Sequence, residues 1–248
     1  MIEGVIFDIG GVLAKDVWEH LLPCHTKNGG IRDKFGLNKE EVHKVGKLLW
    51  GAFAHIPEGP KATWRELERR YWDLFINFFW PNSPPPSATI DTFIDMTSDY
   101  IVPVDAGMPD LLKYLRARGI NLGICSNNNE FWFRRQFSDL GLYQFFSPSR
   151  IALSCRVGAS KSSKNFEMFH AVIDAMNVHP SKCVFVDDRQ ENIDRAEAFG
   201  LKAFVMRVSR NSERVSMQRL TANSRWNGRA ASTVPIEGIV LARRSPRR

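Results

Sequence analysis

The strongest constraint on the fold is a set of short apolar segments that each stop on a polar residue. Residues 4–8, GVIFD, end on Asp8, and Gly10-Gly11 then break the strand. Residues 120–125, INLGIC, run into Ser126, and residues 183–186, CVFV, run into Asp187-Asp188. Helices are predicted over 109–118, with Pro109 in the first turn and Gly119 as the stop, and over 130–139. A third covers 164–177, with Phe166, Phe169, Val172, Ile173 and Met176 on one face, and a fourth covers 191–199 ahead of a strand at 202–206. Strands alternating with helices predict a doubly wound α/β fold, a parallel sheet covered on both faces. Such sheets bind ligands at the carboxyl ends of their strands. Polar residues at three strand ends therefore predict one shared site.

Residues 14–100 follow another rule. Their apolar positions keep a helical period, best seen in Trp64, Leu67, Tyr71, Leu74, Phe75 and Phe78. Asn38, with Glu41 three residues on, reads as a helix start, and PNSPPPS at 81–87 excludes helix. The expected layout is an α/β core from 1–13 and 101–206, an α-helical cap at 14–100, and a poorly ordered basic tail at 207–248 with one candidate strand, Ile236 to Leu241. Most aromatics of the cap, among them Trp50, Trp72, Phe79 and Trp80, are expected to form its core.

Charge enters through that tail. The chain is +7 overall, but the segment from Met206 onward holds ten arginines against Glu213 and Glu237, a net +8, so residues 1–205 stand at −1. The core gives no reason to expect nucleic acid as a partner. No apolar run approaches the roughly 20 residues of a membrane-spanning helix. MIEGVIFDIGGVLAKD reads as a first strand, not a signal peptide. A soluble, cytoplasmic protein, monomer or homodimer, is expected. Cys24, Cys125, Cys155 and Cys183 form no CxxC pair, and the six histidines show no HExxH spacing, so no zinc site is suggested.

The strand-end residues have a chemistry in common. Asp8 and Asp188 can supply the one or two carboxylates that Mg²⁺ takes alongside phosphate oxygens and water. Two carboxylates brought close without a cation repel, and a metal between them resolves the conflict. The Ser126 hydroxyl and the Lys161 ammonium would complement the charge of a phosphoryl group.

These segments resemble the motifs of the haloacid dehalogenase superfamily, in the branch with a helical cap inserted after the first strand. VIFDIGGVL is similar to the first motif, INLGICSNN to the second, SCRVGASK to the approach to the third-motif lysine, and CVFVDDRQENIDRAEAFGL to the fourth; the resemblance spans about residues 1–205. It implies a Rossmann-like core and a small phosphorylated substrate, possible sugar phosphates included. It implies Asp8 as the nucleophile that forms an aspartyl-phosphate, and Ser126 on a phosphoryl oxygen with the Asn127 amide nearby. Lys161 would neutralise charge. Mg²⁺ would be held by Asp8, Asp188, Asp187 and the carbonyl of Gly10, with Asn192 supporting the loop. The sequence departs from the pattern twice. Gly10 stands where the family places a second Asp that protonates the leaving oxygen, for which Asp16 or a cap residue is a candidate substitute, and Ser162 stands where Pro is common. Gly10 also keeps two other functions open: a 2-haloacid dehalogenase, which needs no Mg²⁺, and a non-catalytic binder of a phosphorylated ligand or protein.

Overall fold

The computed structural model describes residues 1–16, 30–54, 56, 59, 62–208 and 215–218. Its strands are β1 Gly4–Phe7, β2 Asn121–Ser126, β3 Ile151–Leu153, β4 Cys183–Asp187, β5 Lys202–Val208 and β6 Val215–Gln218, in the order β3-β2-β1-β4-β5-β6. The first five run parallel, and β6 pairs antiparallel with β5. The helices are α1 Ile31–Phe35, α2 Lys39–Phe53, α3 Trp64–Phe79, α4 Ile90–Tyr100, α5 Met108–Ala117, α6 Glu130–Asp139, α7 Ser154–Val157, α8 Glu167–Met176 and α9 Gln190–Phe199.

Strand alternation divides the core into two layers. Val5, Phe7, Leu122, Ile124, Val184 and Val186 face α5 and α6, where Met108, Leu112, Phe133 and Phe137 are buried. Ile6, Cys125, Cys183 and Phe185 face α8 and α9, where Phe169, Val172, Met176 and Ile193 are buried. This two-sided burial is why the strands read as continuous apolar runs. Phe7 lies level with Ile124 on one side and Val186 on the other. The next step along each strand therefore brings Asp8 beside Asp187 on the face that carries Phe185.

Two strands were not foreseen. β3 is three residues long, too short for a period to show, and β6 falls in the stretch predicted to be a poorly ordered tail. Of that tail, residues 207–208 continue β5 and residues 215–218 form β6; the rest, including Ile236 to Leu241, lies outside the described residues. Among the described residues no helix is long and apolar enough to cross a membrane.

Helices α1–α4 lie between β1 and β2 in the chain and share one apolar cluster. The chain leaves the core beside the point where it returns, since the Lys15 amide donates to Val102 O at 2.9 Å. Helices α2 and α3 are capped at their starts by side chains: Glu41 N–H donates to Asn38 Oδ1 at 3.1 Å, and Thr63 and Glu66 exchange hydrogen bonds as a capping box at the start of α3. The apolar stripe of α3 is rotated from the predicted one. Leu67, Tyr71 and Phe75 are buried as expected, but Leu74 and Phe78 are exposed, and Trp72 and Ile76 are buried in their place. The reason is that α3 packs between α2, α4 and α6, so its buried face is wider and turned toward 68, 72 and 76.

Helix α6 is the seam. Phe133 and Phe137 belong to the sheet-side core, whereas Phe131 and Trp132 complete the cluster of α1–α4. The contact is fixed by Arg135, which donates to Glu68 Oε2 at 2.8 Å and to Ser98 Oγ at 2.6 Å. Glu68 is buried, and burial raises its carboxyl above the ordinary range against the pull of Arg135. Removing one partner of such a buried pair leaves a polar group without compensation. Arg135→Ala should therefore cost about 3 kcal/mol in denaturant unfolding; a loss under about 1 kcal/mol would mean that the aromatic contacts alone hold the seam.

Candidate active site

The tip of β1 is held before any ligand arrives. The Asp8 backbone N–H donates to Val186 O at 2.9 Å, and the Ile9 N–H donates to Asp8 Oδ1 at 2.7 Å. Lys161, in the loop after α7, places its ammonium 2.9 Å from Asp8 Oδ2 and 2.6 Å from Asp187 Oδ2, above the ring of Phe185. The loop is tied to the end of β2 because the Lys161 backbone N–H donates to Asn127 Oδ1 at 3.0 Å. Ser126, at the end of β2, is buried beside the Asp8 side chain and helps to hold its acidity down.

Asp187 is fully engaged. Its Oδ2 accepts from Lys161, and its Oδ1 accepts from the Asn192 side chain and the Arg189 N–H, both at 2.9 Å. Asp188 is the opposite case: its Oδ1 is buried with no hydrogen-bond partner among the described residues. One oxygen from each of Asp8, Asp187 and Asp188 lies within 4.8 Å of the others. Three carboxylates face one ammonium, so the ionised cluster carries a net charge of −2. The strain shows in the acidities. Burial, then the nearby Asp187, raise Asp8 to about 6 although Lys161 opposes them. Burial, Asp8 and Asp187 raise Asp188 to about 7. Burial works against the Lys161 charge, but Asp8 and Asp187 outweigh it and hold the ammonium protonated. A hard divalent cation fits this set, because the donors are all oxygen, one is buried without a partner, and two positive charges balance the cluster. Cys125, beside Lys161, is buried and its thiol is pushed far up by burial, which makes it no nucleophile.

The two glycines after Asp8 have different physical roles. Gly11 sits at φ +73°, and a Cβ there would stand 2.4 Å from Asp188 Oδ2, so Gly11 makes the space that Asp188 occupies. Gly10 has no such φ, and among the described residues a Cβ there would meet only Asp16, with Cγ at 3.7 Å.

The structure thus brings together Asp8, Ser126, Lys161, Asp187 and Asp188, with Asn127 and Asn192 holding the loops. Sequence reasoning missed Asn128, whose backbone N–H donates to Ser154 Oγ at 3.0 Å and whose side chain donates to Gln136 at 2.8 Å. It also missed Asn129, which caps α6 by accepting from Trp132 N–H at 2.9 Å. The run of three asparagines before a helix was the available signal.

A family model described as haloacid dehalogenase-like hydrolase matches residues 2–200. No curated protein sequence matches the chain. Among solved structures, the chain is similar to a family enzyme from Bacteroides thetaiotaomicron at 17% identity and TM-score 0.61, covering 85% of this chain and 96% of that one. It is similar to L-2-haloacid dehalogenase from Xanthobacter autotrophicus at 16% identity and TM-score 0.55, covering 85% and 80%. A phosphatase of the same family from Thermococcus onnurineus gives 18% identity and TM-score 0.53, covering 86% and 89%. Identities this low carry the fold and not the chemistry.

Gly11→Ala should destabilise the protein by about 1–2 kcal/mol from the left-handed conformation alone, and more through displaced Asp188, while Gly10→Ala should cost no more than about 1 kcal/mol; equal losses in denaturant unfolding would contradict this reading. The site should also make metal-free stability depend on pH. The folded Asp8 and Asp188 keep protons that the unfolded chain releases near the ordinary carboxyl value of 3.8, so this contribution falls as pH rises from about 4 to about 7. Added Mg²⁺ should raise the melting temperature most at about pH 8, where both carboxylates are ionised; a shift that is larger at about pH 5 would contradict it.

Proposed function

The chain belongs to the haloacid dehalogenase-like hydrolases, and from that premise we propose that it is a Mg²⁺-dependent hydrolase of small phosphate esters, sugar phosphates among them, acting through an aspartyl-phosphate on Asp8. The observation that carries this reading is the −2 cluster of Asp8, Asp187 and Asp188 around one ammonium. A dehalogenase uses an aspartate nucleophile without a metal, and such a reaction would leave the charge of this cluster unbalanced.

In this reading Asp8 and Asp188 hold the cation, with the Gly10 carbonyl as a further candidate. Asp187 serves chiefly as the anchor of Lys161, since its oxygens already accept from Lys161, Asn192 and Arg189. When bound, the cation supplies positive charge to the phosphoryl oxygens and relieves the repulsion among the carboxylates. Asp8 attacks phosphorus with an oxygen whose direction is set by Ile9 N–H and Lys161. The Lys161 ammonium keeps its charge and screens the approach of a dianion to a carboxylate. Ser126, buried beside Asp8, would meet a phosphoryl oxygen transferred to it. The helices between β1 and β2 would cover the strand tips and exclude water during transfer.

Purified protein assayed on 4-nitrophenyl phosphate and a panel of sugar phosphates should turn over with Mg²⁺ and not with EDTA. Asp8→Asn should abolish turnover, and Lys161→Ala should lower it by at least about 100-fold. Turnover of a 2-haloacid in EDTA would replace this reading with dehalogenation. Mg²⁺ binding without turnover on any ester would replace it with a non-catalytic binding role.

A further inference from the structure

Hydrolysis through an aspartyl-phosphate needs a proton for the leaving oxygen and a base for the water that follows. The groups already described are engaged elsewhere: the Lys161 ammonium lies between two carboxylates, Asp187 accepts from three donors, and Asp188 is a candidate ligand of the cation. Resting on the aspartyl-phosphate reading, we propose that Asp16 is the general acid and base of this reaction, brought over Gly10 by the turn that follows β1.

The turn is tightly built. Leu13 and Ala14 N–H both donate to Ile9 O at 2.9 Å, and Gly11 N–H donates to Ala14 O at 2.8 Å. Gly10 and Ala14 form a β-bridge, and Ala14 bridges onward to Pro103. The chain is thereby folded back so that Asp16 stands beside Gly10. Among the described residues, the three atoms nearest a Cβ built at Gly10 all belong to Asp16: Cγ at 3.7 Å, Oδ2 at 3.8 Å and Cβ at 4.0 Å. The space that a side chain at position 10 would enter holds the Asp16 carboxyl instead. That carboxyl is mostly shielded, with the side chain 17% exposed, and Arg189 Nη2 lies 3.4 Å from its Oδ2. Its charge reaches Asp188, yet it stands outside the group of three carboxylates that could hold a metal. It borders the site without being one of the candidate ligands.

The steps balance. An Asp8 oxygen bonds phosphorus, the phosphorus–oxygen bond to the alcohol breaks, and the Asp16 carboxylic acid gives its proton to the departing oxygen. Water then attacks phosphorus, its proton passes to the Asp16 carboxylate, and the bond to Asp8 breaks. Ester and water become alcohol and inorganic phosphate, with both aspartates restored.

The test compares two esters of nearly the same shape, phenyl phosphate and 4-nitrophenyl phosphate, in the full chain with Mg²⁺. Nitrophenolate leaves without a proton far more readily than phenolate does. In Asp16→Asn the kcat/KM ratio of phenyl to 4-nitrophenyl phosphate should fall about 100-fold from the wild-type ratio. The ratio does not depend on how much of the variant is folded. 4-Nitrophenyl phosphate should also give a burst of nitrophenol, because the aspartyl-phosphate forms and then lacks a base. Gly10→Asp added to Asp16→Ala should restore the ratio, since the space at position 10 is then open. A ratio within about threefold of wild type in Asp16→Asn, or a double variant no better than Asp16→Ala, overturns the role of Asp16 while leaving the phosphatase reading intact. A wild-type protein inert on both esters overturns the two together.

Discussion

The Lys161 ammonium occupies a place that water does not reach, 2.9 Å from Asp8 and 2.6 Å from Asp187. A buried charge is costly unless it is paired, and here one cation is paired twice. That pairing joins three separated parts of the chain: the tip of β1, the tip of β4 and the loop after α7. It also leaves the cluster short of positive charge, because Asp188 adds a third carboxylate at the same point. Burial, with the neighbouring carboxylates adding to it, displaces Asp8 and Asp188 upward, and a divalent cation would balance the charge of the cluster.

Helix α6 links the site to the rest of the molecule. Its first turn is set by Asn129, and the preceding Asn128 is locked to Ser154 and Gln136, so the end of β2 cannot shift independently of α6 and α7. The same helix buries Phe133 and Phe137 against the sheet and Phe131 and Trp132 against α1–α4. With Arg135 bridging to Glu68 and Ser98, the helices that would cover the site are fastened to the element that shapes its edge.

Much of the fold was readable because burial on both faces leaves an apolar signature in β1, β2, β4 and β5, and because each of these strands is followed or preceded by a helix of regular period. Asp8, Ser126 and Asp187-Asp188 stood out for the same reason, as polar residues where apolar runs stop. β3 and β6 were not readable: three residues cannot display a period, and β6 lies in an arginine-rich stretch whose composition argues against structure. The orientation of α3 was misjudged at Leu74 and Phe78, because a one-stripe pattern cannot anticipate a helix packed against three neighbours. Lys161 was reached only through the resemblance of its flanking sequence, since a lone lysine in a serine-rich loop carries no local signal. The nearness of Asp16 to Gly10 is a property of the turn and cannot be read from spacing.

The central claim is that the strand tips form a cation-dependent phosphoryl site with Asp8 as its acceptor. The most direct measurement is a crystal structure of the protein grown with Mg²⁺ and beryllofluoride, an aspartyl-phosphate mimic. The account predicts beryllofluoride on an Asp8 carboxylate oxygen, Lys161 still on Asp187, and the cation against Asp8 and Asp188. An unmodified Asp8 with no cation at Asp188, in crystals where Mg²⁺ and beryllofluoride are in excess, would contradict it.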